Sequence, residues 1–193
     1  MGPGRYIGRV AGVAVALGIG VGLAATPWVA AAKSGSPGSS PGNGNGTNLA
    51  VSTNGVLHEQ KGNATATSSG TGSVAISHGS GAAATATGAG NKAFADGTNA
   101  KAFAIGGTDS TARVDGNNSG AVANGSNNTA TVKGNNSNAV AEQGNNNKAS
   151  VTGNNSTAIA LLGDNNTATV NGDKLKAVAQ GGNKTVTCPT TCG

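Results

Sequence analysis

From about Gly62 onward, small apolar and polar residues alternate in short runs, and each run is closed by a glycine-containing polar step. The stretch GNNSTAIALLGDNNTATVNG, residues 153–172, contains the phrase twice. Aligning the glycines places an alanine at the centre of each run, at Ala93, Ala102, Ala112, Ala121, Ala130, Ala139, Ala149, Ala158, Ala168 and Ala177. These alanines are nine or ten residues apart. Alternate segments match better than neighbours do. One class reads Asn-Thr-Ala-Thr-Val (128–132 and 166–170), and the other reads Ser-x-Ala-Val/Ile-Ala (119–123, 137–141 and 156–160). The repeat is therefore about 18 or 19 residues long and carries two short strands.

Period-two alternation places Asn128, Ala130 and Val132 on one face of a strand and Thr129 and Thr131 on the other. A repeat this short cannot bury its own apolar face, but coils stacked at about 4.8 Å would give each strand two hydrogen-bonded neighbours. The expected fold is all-β, a parallel β-solenoid over 62–187. The inward columns are Ala95, Val114, Val132, Val151, Val170 in the first class and Ala104, Ala123, Ala141, Ala160, Ala179 in the second. A structural column of Asn128, Asn147 and Asn166 falls where the chain turns inward, where stacked amides can bond from coil to coil. A disordered low-complexity tail is the competing reading, and the strict two-class phasing argues against it.

The outward positions of the two classes differ. The second class presents Phe103, Val122, Val140, Ile159 and Val178, whereas the first presents Phe94, Arg113, Thr131, Ser150 and Thr169. One sheet is thus wet outside and the other carries an apolar stripe, the candidate interface for self-association or for a cell-envelope or host-surface partner. The competing expectation is that Leu161, Leu162 or the linker folds across the stripe.

Ahead of the repeats the hydropathy changes character. Arg5 and Arg9 precede an apolar run from Val10 to about Ala25, followed by the small-residue site Ala30-Ala31-Ala32. This reads as a signal peptide over 1–32, with an uncleaved membrane anchor as the alternative. Residues 33–46 contain SGSPGSSPGNGNG and read as a Gly/Ser/Pro linker, and 47–61 as an irregular N-terminal segment or cap. The opening Gly-Arg-Tyr-Ile-Gly-Arg with its Ala/Val/Gly run resembles the leaders of mycobacterial exported proteins.

Composition narrows the chemistry. The 193 residues are 2% aromatic and 10% charged and include 34 glycines. After the leader the only aromatics are Phe94 and Phe103, so any core must be thin and built from alanine and valine. Loss of Arg5 and Arg9 would leave 10 basic against 7 acidic residues, a net charge of +3. The lysines are scattered rather than clustered, which argues against nucleic-acid binding. His58 and His78 lack a cysteine pair or carboxylate cluster at metal-ligand spacing, and Asp109, Asp115, Asp164 and Asp173 are too irregular for a calcium-binding nonapeptide. No catalytic constellation, metal or cofactor is expected.

Cys188 and Cys192, in TCPTTCG, are the only cysteines. A close pair in an exported chain points to a disulfide, and Cys188 falls one coil after Val170 in the inward column. Residues 188–193 are therefore expected to be a disulfide-closed C-terminal cap over the last rung. A redox role would want Cys-x-x-Cys at a helix start, and this pair has one residue more between its cysteines.

The run GAGNKAFADGTNAKAFAIGGTDSTA, residues 88–112, resembles the head repeats of trimeric autotransporter adhesins. The later GSNNTATV, GNNNKASV and GDNNTATV resemble half of the curli-type repeat Gly-x-x-Asn-x-Ala, carried by Gly125, Asn128 and Ala130, by Gly144, Asn147 and Ala149, and by Gly163, Asn166 and Ala168. These resemblances imply a surface role. The expected function is an exported, non-enzymatic structural or adhesion-like protein. The alternative is an ice- or small-ligand-binding solenoid using the outward pairs Thr129/Thr131 and Thr167/Thr169, a face that Lys148 and Ser150 interrupt.

Overall fold

The computed structural model describes residues 48–190. The expected leader (1–32), the linker (33–46) and Cys192 lie outside the described residues. Within them the chain is all-β, and no helix occurs. The strands are β1 (Leu49–Thr53), β2 (Val56–Lys61), β3 (Thr65–Ser69), β4 (Val74–His78), β5 (Ala83–Thr87), β6 (Lys92–Asp96), β7 (Lys101–Ile105) and β8 (Thr111–Asp115). They continue as β9 (Gly120–Asn124), β10 (Thr129–Lys133), β11 (Asn138–Glu142), β12 (Lys148–Thr152), β13 (Thr157–Leu161), β14 (Thr167–Asn171), β15 (Lys176–Gln180) and β16 (Thr185–Cys188).

From β3 onward the chain alternates between two sheets and builds a parallel β-solenoid of seven coils, one for each strand of the seven-stranded sheet β15-β13-β11-β9-β7-β5-β3. The first sheet has nine strands in the order β16-β14-β12-β10-β8-β6-β4-β1-β2. Registers are unbroken along the coils: Ala93 pairs with Ala112 and Ala112 with Ala130, steps of 19 and 18 residues. The extra residue of each longer coil falls in the turn from the second sheet to the first, where Gly106, Gln143 and Leu162 all adopt positive φ, at 66°, 56° and 57°. One left-handed residue there absorbs the insertion, and both ladders stay in register.

The Gly-Asn-Asn phrase has a separate backbone reason at each position. The residue before the inward corner is left-handed, as at Asn118, Asn127, Asn136, Asn146, Asn155 and Asn165 with φ from 52° to 60°. Asparagine tolerates that region better than other residues with a side chain, apart from aspartate. The glycine is required by close approach. At Gly134, with φ 136°, an added Cβ would lie 2.0 Å from the Gly153 carbonyl oxygen of the next coil. The first Asn after the glycine bonds along the outside: the Asn135 Oδ1 accepts the Asn117 N–H at 2.8 Å, and Asn154 Oδ1 accepts the Asn135 N–H at 2.9 Å.

The interior is one thin layer of small side chains. Every strand-centre alanine from Ala93 to Ala177 is buried, as are Val114, Val132, Val151 and Val170 in the first sheet and Ala104, Ala123, Ala141, Ala160 and Ala179 in the second. Toward the N-terminal end the same layer turns polar. Ser52 and Ser68 share a 2.7 Å hydroxyl contact, and Ser77 Oγ donates to the Thr65 carbonyl at 2.8 Å. Those hydroxyls are satisfied internally, as buried polar groups must be.

The Asn column is buried as expected, but its bonding differs from amide-on-amide stacking. Asn147 Oδ1 accepts the backbone N–H of Asn166 at 2.9 Å, while its Nδ2 donates to the Gly163 carbonyl at 2.9 Å and to the Glu142 carbonyl at 3.3 Å. The amide thus fastens the inward corner of one coil to the backbone of the next. Direct amide pairs fall instead on the outer turns, for example Asn99 Nδ2 to Asn118 Oδ1 at 3.1 Å. Asn91 and Ser110 belong to the same buried column. At the opposite corner Ser119, Ser137 and Ser156 do the equivalent work with a hydroxyl: Ser137 Oγ donates to the Gly153 carbonyl at 2.8 Å and accepts the Ser156 N–H at 3.1 Å.

The two ends of the solenoid are built differently. Residues 49–61, expected as an irregular segment or cap, form an antiparallel hairpin whose two-residue turn is Asn54-Gly55, both at positive φ. Its strand β1 pairs antiparallel with β4, so the ladder direction reverses at the N-terminal edge. Glu59 and Lys61 charge that edge, which discourages pairing with a further strand. At the other end β16 pairs with β14 in parallel, bringing Cys188 beside Val170. There the two corner columns end in Leu175 and Lys184, whose side chains, unlike those of Ser and Asn, have no acceptor for a backbone N–H.

Candidate functional site

The two sheets each present one outer face along the solenoid. On the second sheet the ladder sets Phe103 beside Val122, Val122 beside Val140, Val140 beside Ile159 and Ile159 beside Val178. The five residues predicted from the repeat thus form one unbroken row across consecutive rungs. Parallel pairing makes each member cover its neighbours' flanks, so the row is half-buried; only Val178, beside the open end, reaches 37% exposure. Leu161 lies in a flanking row of the same face, in register with Glu142, and Leu162 is exposed in its turn.

That face carries little charge. Lys101 and Lys176 occupy the first outward position of their strands, where β9, β11 and β13 have Gly120, Asn138 and Thr157. Glu142 occupies the last outward position of β11 and is 5% exposed. Burial pushes its carboxyl above the ordinary range, because removal from water penalises the charged form. Sequence periodicity marks Glu142 as an outward residue and gives no sign that it is covered. In the ladder Glu142 stands beside Leu161, and the inserted residue Gln143 follows it.

The opposite face is hydroxyl-rich toward its C-terminal end. The ladder aligns Thr129 with Lys148, Lys148 with Thr167 and Thr167 with Thr185, and in the next column Thr131 with Ser150, Ser150 with Thr169 and Thr169 with Thr187. Nearer the N-terminus the same face carries the apolar column Val51, Ile76 and Phe94, with charge at its margin: His78 Nδ1 lies 2.9 Å from Asp96 Oδ1, and Asp115 follows Asp96 in register. His58 lies on the exposed β2 strand against Thr53 Oγ1. Among the described residues, no three His, Cys, Asp or Glu side chains come together to hold a metal ion.

Cys188 is 2% exposed at the end of β16, in the inward column, with Sγ 3.4 Å from the Lys176 carbonyl oxygen. No family model, curated protein or solved structure matches the chain.

Proposed function

We propose that this protein is an exported, non-enzymatic structural component of the cell envelope or surface, which uses the apolar outer face of its second sheet for self-association or for docking to a surface partner. The observation that carries this reading is the asymmetry of the two faces. Phe103, Val122, Val140, Ile159 and Val178 form a row with two lysines at its margin, while the equivalent row of the other sheet is mostly Arg, Thr and Ser from β8 onward. A solenoid needs only its interior to fold, so a continuous apolar row on one outside face is surplus to folding and fits an interface. Cell fractionation with N-terminal sequencing tests export: the mature chain is expected to begin near Lys33, and a chain that remains in the cytosol sinks the reading. Val140→Lys together with Ile159→Lys tests the face. Loss of association in the ultracentrifuge and of surface retention is expected, and unchanged values for both would remove its role.

A second reading draws on the other face. Thr185 and Thr187 extend the Thr129/Thr131 and Thr167/Thr169 pairs into a regular hydroxyl array, broken at one rung by Lys148 and Ser150. Such an array suits ordered water or a polyhydroxylated ligand. Inhibition of ice recrystallisation by the wild-type chain, lost in Thr169→Lys, would move this reading ahead of the first.

A further inference from the structure

We infer that the N-terminal hairpin, residues 48–61, is an assembly block: it denies the N-terminal end of the solenoid to the C-terminal edge of a second copy and so holds the molecule at seven coils. Without it the two ends are complementary. No strand lies beyond β15 and β16 among the described residues, and both run in the coil direction. At the other end β3 and β4 run the same way. A second copy placed one strand spacing further on, about 4.8 Å, would set its β3 on β15 and its β4 on β16. Small inward residues would then meet small inward residues, Ala66 and Ser68 against Ala177 and Ala179, and Ala75 and Ser77 against Val186 and Cys188. Leu175 and Lys184 withhold two corner bonds from such a contact and leave both strand ladders available. The contact is heterologous and does not close on itself, so copies would continue to add.

The hairpin occupies the backbone groups that this contact needs. In each later coil the glycine after the first-sheet strand donates its N–H to the coil before it, as Gly97 does to the His78 carbonyl at 2.9 Å. The equivalent Gly79 donates to the Asn48 carbonyl at 2.9 Å. Gly90 donates to the Thr71 carbonyl of the preceding coil, whereas the equivalent Gly72 donates to Asn54 Oδ1 at 2.7 Å. The Ser73 carbonyl accepts the Asn54 N–H at 3.0 Å, and the Ser68 N–H goes to Ser52 Oγ at 3.2 Å. Groups that face the missing coil are thus satisfied within the chain.

Shape closes the end further. β1 and β2 lengthen the first sheet by two strands past β4, while the second sheet stops at β3. Two antiparallel steps return β2 to the coil direction, so strand direction alone would let it meet β16 of a second copy. The facing edges of the second sheets, β3 and β15, would then stand three strand spacings apart rather than one, about 14 Å. Only one ladder could form, on an edge that carries Glu59 and Lys61.

Sedimentation velocity of Asn54→Val with Gly55→Val tests the block. Both turn residues have positive φ, 51° and 83°, a region in which a β-branched residue is strained, so the turn opens while the coil sequence is untouched. Variant and parent both carry Val140→Lys with Ile159→Lys, which removes association through the apolar face, and both are kept reduced, which removes the expected Cys188–Cys192 cap. The parent is expected to sediment as one chain and the opened variant as a series of multiples. Hydrogen exchange reports the state of the hairpin: an opened variant that stays at one chain, with 49–61 released and 65–188 protected, would overturn the inference, as would a parent that assembles end to end. Ser52→Lys, which removes the contact with Ser68, serves where the turn survives the first substitution. p-Benzoylphenylalanine at Thr187 reads the direction of growth. Crosslinks to 74–78 of the second copy support the inference, and crosslinks to 185–188 contradict it. Glu59→Val with Lys61→Val keeps the hairpin and discharges its edge, and this variant is expected to remain at one chain. Multimers of it crosslinked from 187 to 56–61 would assign the block to charge and overturn the geometric account.

Discussion

Asn128 and Asn147 are joined across one coil: the Asn128 Oδ1 accepts the Asn147 backbone N–H at 2.8 Å, while Asn128 Nδ2 donates to the Gly144 carbonyl at 2.8 Å. One buried amide therefore satisfies a donor and an acceptor of the adjacent coil. Repetition of that relationship is what the Asn-rich phrase encodes at its inward corner.

Removal of the Asn147 amide deprives the buried Asn166 N–H of its side-chain acceptor and the Glu142 carbonyl of a donor, while the Gly163 carbonyl keeps the Asn166 Nδ2 donor at 3.2 Å; each group left unsatisfied costs about 1–3 kcal/mol. Asn147→Ala is expected to destabilise the solenoid by about 2–4 kcal/mol in urea unfolding. Asn147→Ser should lose clearly less. Ser110 already fills this column, its Oγ accepting the Asn128 N–H at 3.0 Å and donating to the Gly125 carbonyl at 2.7 Å. Equal losses for the two variants would show that side-chain volume, not hydrogen bonding, is what the column supplies.

Gly134 and Gly181 separate two costs of a side chain at positive φ. At Gly181, φ 96°, a Cβ would meet nothing within 4 Å, so Gly181→Ala costs conformational strain alone, about 1–2 kcal/mol. At Gly134 the same substitution adds the clash with the Gly153 carbonyl and should cost roughly 4 kcal/mol or more, or prevent folding. Thermal unfolding followed by circular dichroism distinguishes the pair. Similar melting temperatures would mean that the coils can move apart cheaply.

Glu142 makes stability depend on pH. A carboxyl whose folded pKa lies above its unfolded value binds its proton more readily in the folded chain. Its unfavourable contribution therefore grows as pH rises from the ordinary carboxylate range through the raised value. Glu142→Gln should be more stable than the wild type at neutral pH, measured at high dilution, and the difference should shrink on acidification below the ordinary range. A gap that persists at low pH would assign the effect to packing.

The expected Cys188–Cys192 cap makes stability at the last rung redox-dependent. A disulfide between them would hold the chain after Pro189 over the open edge of β16, where Val170 pairs with Cys188. Reduction should then speed amide exchange at Val186 and Cys188 while leaving the Asn128–Asn147 corner protected. Exchange that is the same in both redox states would remove the capping role.

The sequence by itself determined the two strand classes, the period of 18 or 19 residues, the Ala/Val interior and the order of Phe103, Val122, Val140, Ile159 and Val178 along one face. Those features depend only on alternation within a strand and on a constant spacing between strands, and both are written in the linear order of residues. Residues 47–61, expected as an irregular segment or cap, instead contain the Asn54-Gly55 hairpin, and the reversal of β1 against β4 depends on which edge that hairpin meets. Tertiary structure alone decided that the buried amides fasten backbone rather than one another and that Glu142 is covered. Each of these depends on which groups of a coil come to lie within about 3 Å of the coil stacked upon it. Turn geometry and stacking set that distance jointly, and no pattern within a single coil records it.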